Sequence, residues 1–98
     1  MAVYVIAQMN VHDREVYARY SSAFLPTLVP YEGQLLAVDE SPIVMEGEWP
    51  YRKVVLISFP DEARAKAWAD GPEYGAIIGD RRAASETLGL MVHGFPVR

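Results

Sequence analysis

Strand-like and helix-like stretches alternate along this chain in the order strand, helix, strand, strand, helix, strand, and that order leaves few ways to fold. Val3 to Met9 is a short run rich in β-branched and aromatic residues, as strands favour. Asp13 can cap a helix by accepting from free backbone N–H groups, and Val16, Tyr17, Tyr20, Phe24 and Leu28 then recur at three- and four-residue steps. Pro26 cannot donate an i→i−4 hydrogen bond, so a kink or restart is expected there, and Pro30 and Gly33 end the segment. Gln34 to Val38 is a second strand, with Ile43-Val44-Met45 a short extension of the sheet beyond the Asp39–Pro42 turn. Glu46 to Tyr51 is a Gly- and Pro-broken loop, and Lys53 to Phe59 is the clearest strand. Pro60-Asp61 starts a helix with Ala63, Ala67 and Trp68 on its buried side, Gly71 stops it, and Pro72 opens another. Thr87 to Gly94 is the last strand.

Two right-handed βαβ crossovers in this order give one α+β domain over residues 1–98, a four-stranded antiparallel sheet with both helices on one face. The other face is left bare, and a bare apolar sheet face calls for a partner or a ligand. Alternation splits each strand into two sets. With the apolar sets Val3/Val5/Ala7/Met9, Val55/Ile57/Phe59 and Leu88/Leu90/Val92 under the helices, Tyr4, Ile6, Gln8, Leu56, Ser58, Met91 and His93 line the bare face. Apolar walls with a few hydrogen-bonding groups suit a small-molecule pocket, and equally a half-polar dimer interface.

Composition narrows the partners. The chain has 98 residues, 51% hydrophobic and 22% charged, which suits a single globular domain. A net charge of −4 with scattered basic residues argues against a nucleic-acid partner. Cysteine is absent, so a disulfide scaffold is excluded, and His12 and His93 alone do not make a metal site. No apolar run approaches the roughly 20 residues of a membrane span. Val3–Met9 reads as a strand and not as a signal segment, so a cytoplasmic location is expected.

Glu46-Gly47-Glu48-Trp49-Pro50, Phe59-Pro60, Trp68 and Pro72-Glu73-Tyr74 followed by Arg81, with Asp13, Tyr17 and Tyr20 on the first helix, together resemble the family called domain of unknown function 1330, within the dimeric α+β barrel superfamily. The resemblance covers nearly the whole chain and implies a ferredoxin-like βαββαβ fold and a homodimer in which two sheets close a barrel. It implies no activity. The chain departs from the family pattern at Ser58 and His93, where acidic residues are common, and at Lys53, where arginine is usual.

The residues expected to bind a ligand are Tyr4, Gln8, Ser58 and His93 on the bare face, with Trp49 and Arg81 at the rim. His93 is the best catalytic candidate, since imidazole exchanges protons near neutral pH, though an interface histidine is the commoner outcome. Trp49, in a loop bounded by Gly and Pro, is a lid or a dimer anchor. Arg81 with Arg52 suits a carboxylate, whereas Arg81 paired with Glu73 or Glu86 only steadies the surface. The chain is thus expected to carry a small-molecule site for an apolar, aromatic or carbonyl compound at or beside the dimer barrel, without metal or organic cofactor. The alternative is a non-catalytic dimeric interaction module.

Overall fold

In a computed structural model that describes residues 1–95, strand β1 (Val3–Val11) is central because both of its edges are paired. β3 (Lys53–Phe59) lies on one side, β4 (Ser85–His93) on the other, and β2 (Gln34–Asp39) extends the sheet beyond β3. The antiparallel order β2-β3-β1-β4 is that of a ferredoxin-like fold. Leu36 is an extra residue in β2: Leu35 stands opposite Ile57 and Ala37 opposite Leu56, so a bulge resets the facing of everything after it.

Helix α1 (Arg14–Ser22) begins where the Asp13 carboxylate accepts the Val16 N–H at 3.1 Å. The chain restarts at Ala23 as α2 (Phe24–Leu28), a restart that places Pro26 in the first turn, where no i→i−4 donor is required of it. A 3₁₀ turn, Val29–Tyr31, leads back to the sheet. Helix α3 (Glu62–Asp70) is capped by Asp61, which accepts the Arg64 N–H at 2.8 Å, and is followed by α4 (Pro72–Gly75) and α5 (Ile78–Ala84). Its buried residues are Ala65 and Trp68, and Ala63 and Ala67 are exposed, so the inward stripe is rotated from the one expected. Ile43-Val44-Met45 forms no strand. It lies in the irregular loop between β2 and β3, where Met45 is 94% exposed.

The core sits between the helices and one sheet face. Val3, Met9, Val55, Ile57 and Phe59 rise from the sheet, and Tyr17, Tyr20, Phe24, Leu28, Trp68 and Tyr74 descend on them. Trp68 anchors the cluster, with its ring 4.2 Å from that of Tyr74 and 5.4 Å from that of Phe59. Its indole N–H donates to Thr27 Oγ1 at 3.1 Å, and the Thr27 hydroxyl donates to the Phe24 carbonyl at 2.7 Å. Burial of Trp68 therefore leaves no unpaired donor on its ring.

The last strand carries a correction. Pairing with β1 sets Val5 opposite Met91, Ala7 opposite Gly89 and Met9 opposite Thr87, so Thr87, Gly89, Met91 and His93 are on the helix side. Leu88, Leu90 and Val92 face the other way, and Leu88 and Leu90 are each 57% exposed. The physical reason is that both alternating sets of β4 contain apolar residues, so polarity alone does not settle the register. In β1 the polar residues fall only on the outer set, and in β3 the inner set is apolar apart from Lys53 at its first position, so both strands face as expected.

With β4 reversed, the open face is more apolar than expected. Ile6, Val54, Leu56, Leu88, Leu90 and Val92 now share it with Tyr4, Gln8 and Ser58. The described chain is only 16 Å deep along its shortest axis, as one sheet and one helix layer require.

Candidate ligand-binding site

The expected site residues separate into three places. Tyr4 and Ser58 stand directly opposite one another on the open face, and Gln8 lies on that same face. The Trp49 ring N–H donates to Gln8 Oε1 at 3.4 Å, and the Trp49 and Tyr51 rings are 5.9 Å apart. The loop is held there by Asn10, which donates to the Pro50 carbonyl at 3.0 Å, and by the Arg52 N–H on the Met9 carbonyl. Trp49 therefore belongs with the open face.

His93 is elsewhere. Its position opposite Val3 puts it on the helix side, where Nε2 lies 2.6 Å from Glu62 Oε1 at the start of α3. Lys66 and His93 together hold the Glu62 carboxyl down at about 2. His93 lines neither the cavity over Ala7 and Gly89 nor the groove beside it. The expectation that His93 shares a surface with Tyr4, Gln8 and Ser58 fails for the same reason as the β4 register.

Arg81 occupies the third place, and it is where the space is. Between the helices and the sheet lies a cavity of ≈330 Å³, floored by Val5, Ala7, Val55, Ile57 and Gly89 and roofed by α1, α2 and the Trp68–Tyr74 pair. That volume is at the lower end of small-molecule pockets. Its origin is visible in the pairing: Ala7 and Gly89, the two smallest residues of the floor, are cross-strand neighbours. A Cβ built on Gly89 would meet no atom within 4 Å, so the glycine answers no steric demand of the backbone. Glycine within a strand is a mark of close approach by a ligand or another backbone, and this was the signal the sequence offered for the cavity.

The polar groups of the cavity are few. Tyr20 Oη and Tyr74 Oη are 2.9 Å apart, and burial pushes the Tyr20 hydroxyl well above the ordinary phenol range, with the neighbouring Tyr74 adding to the effect. Arg81 enters from α5, and its buried Nε has no hydrogen-bond partner among the described residues. Neither Glu73 nor Glu86 pairs with it, and Glu73 instead accepts the Tyr31 hydroxyl at 2.5 Å. Lys53 reaches the cavity mouth with its side chain only 12% exposed, its ammonium 4.3 Å above the Tyr17 ring and 3.7 Å from Glu40. Arg52 does not reach Arg81's cavity. It lines an adjoining groove with Arg14 and Lys53, and Tyr17, Ser21 and Lys53 border both spaces.

Among the described residues no cluster of His, Cys, Asp or Glu suits a metal ion, and no helix is long and apolar enough to cross a membrane.

Residues 2–95 match the family model described as Domain of unknown function (DUF1330). No curated protein sequence matches. Among solved structures, a protein of unknown function from Rhodopseudomonas palustris superposes with a TM-score of 0.80 at 14% identity, over 98% of this chain and 84% of that one. A dimeric ferredoxin-like protein of unknown function from a Jannaschia species gives 0.71 at 18% identity, over 96% and 100%. A cofactor-independent oxygenase from Streptomyces nogalater gives 0.62 at 16% identity, over 98% and 95%. At these identities the likeness is one of fold.

Proposed function

The chain belongs to the domain of unknown function 1330 family, and on that footing we propose that it is a homodimeric protein that binds a small molecule with an apolar, ring-sized body between its sheet and its helices. The observation that carries the reading is the ≈330 Å³ space over Ala7 and Gly89. Protein interiors are close-packed, and a core free to choose its residues would fill that floor with a larger side chain. The cavity lies on the helix side of the sheet, so the ligand and the second copy occupy opposite faces. Closure of the open face by a second copy is supported by its run of exposed apolar residues from β4, and by the dimeric Jannaschia relative of the same fold. Tyr4, Gln8, Ser58 and Trp49 then serve the contact between copies.

Thermal-shift titration with the neutral bicyclic amide 2-naphthamide tests the binding. A compound at a hundredfold its Kd stabilises the native state by about 2.7 kcal/mol, a shift of several degrees for a domain of this size. Gly89→Val places two methyl groups in the cavity and should abolish the shift. An equal shift in wild type and Gly89→Val would overturn the reading.

A further inference from the structure

We propose that the cavity selects an organic monoanion, a carboxylate or enolate on an apolar ring system, and that Arg81 is the residue that receives the charged end. The inference rests on the cavity reading and adds the class of ligand to it.

Arg81 is a charge without a counter-charge among the described residues. A guanidinium stays protonated at any physiological pH, and its donors need acceptors once they leave water. Arg81 lines the cavity, its Nε is buried without a partner, and no carboxylate of the described residues lies in ion-pair range of it. The other polar groups of the inner cavity are neutral. Tyr20 does not supply the missing charge, because burial and Tyr74 hold its hydroxyl in the protonated form. Arg19 pairs with Asp80 at 3.2 Å and Arg64 with Glu32 at 2.6 Å, and Arg14, Arg52 and Arg82 are exposed to water, whereas Arg81 Nε is buried and has neither.

The hydroxyl pair has a donor to spare. Within Tyr20–Tyr74 one hydroxyl donates to the other, and the accepting hydroxyl keeps its own proton for a third partner. A carboxylate has two oxygens and accepts only, so it matches one guanidinium N–H and one phenol O–H in a way that a neutral amide does not. Lys53 is a poorer anchor, since Tyr17 and Glu40 already engage its ammonium at the mouth. In the adjoining groove Glu40 offsets Lys53, and Arg14 and Arg52 leave the approach locally positive on a chain of net charge −4, which favours entry of an anion.

Calorimetric titration of 2-naphthoate and its neutral isostere 2-naphthamide into the wild-type protein, Arg81→Met, Arg81→Lys and Gly89→Val separates the possibilities. The expected result is naphthoate at least tenfold tighter than naphthamide in the wild type. Arg81→Met should weaken naphthoate by roughly ten- to a hundredfold, as loss of a charge-assisted hydrogen bond does, and leave naphthamide within threefold. Arg81→Lys keeps the charge without the Nε donor and should recover only part of the loss. Should both compounds bind the wild type alike, or Arg81→Met weaken both equally, the anion assignment falls while loss of both in Gly89→Val keeps the cavity reading. Binding of neither compound to the wild type overturns both.

Discussion

Ala7 and Gly89 face one another across the β1–β4 pair, both directed at the helices, and together they hold open a space that a pair of valines would fill. Since nothing crowds the missing Cβ of Gly89 and its backbone is ordinary strand, Gly89→Ala should stabilise the fold by about 0.5–1 kcal/mol through loss of freedom in the unfolded chain. Urea unfolding reads this as a higher midpoint at unchanged slope. A lower midpoint would mean that the position needs glycine for its backbone, and the cavity would lose its simplest explanation.

The proposed assembly rests on the outer set of β4. A charge at Leu90, in the middle of the exposed Leu88–Leu90–Val92 row, would be desolvated by a second copy. Wild type should scatter light as a dimer at micromolar concentration and bury at least about 1,000 Å², whereas Leu90→Glu should scatter as a monomer. A monomeric wild type would leave the open face without its proposed occupant.

Thr27 links α2 to the centre of the core. Thr27→Val keeps the shape but removes the acceptor of the Trp68 indole N–H, leaving a buried donor unpaired. Destabilisation of about 1–3 kcal/mol is expected by chemical denaturation, with little change in fold by circular dichroism. A neutral outcome would mean that water reaches the indole.

The link between β4 and α3 is acid-sensitive. Glu62 ordinarily titrates at 4.5 and is held at about 2 by Lys66 first and His93 second. A carboxyl with a depressed native pKa adds stability above its unfolded pKa and loses it as pH falls through the native one. Stability should therefore decline as pH drops from about 4.5 to about 2. Glu62→Gln should remove this part of the decline, and the group's exposure keeps its share modest. Identical acid profiles for the two proteins would show that the cluster is dispersed in solution.

The sequence is legible wherever a local rule decides the outcome. Asp13 and Asp61 cap helices because a short carboxylate before a helical stretch has few better partners than the free N–H groups ahead of it. β1 reveals its inner face because polar residues interrupt only one of its two sets, and β3 because Val55, Ile57 and Phe59 run apolar after Lys53 while Ser58 interrupts the other set. β4 does not, having apolar residues on both sides, and the reversed register carried His93 away from the residues it was grouped with. The cavity is legible only in fragments: Gly89 is a clue within its own strand, but its meaning depends on Ala7, whose pairing spans most of the chain. From sequence Arg81 suits either a ligand carboxylate or, more commonly, a surface pair with Glu73 or Glu86, and the lack of such a pair among the described residues emerges only when every neighbour is in place.

The bulge at Leu36 bears on how a family of such proteins can diversify. Were β2 to pair regularly with β3, Asp39 would stand opposite Lys53 and turn inward, bringing a carboxylate to the cavity mouth, while Val38 would turn out. With the extra residue, Val38 lines the cavity and Asp39 faces solvent. Gain or loss of a residue in an edge strand can thus put a carboxylate at the entrance in place of an apolar side chain without any substitution elsewhere in the cavity. Chain length in β2 therefore helps set the charge at this entrance, beside the residues that line it.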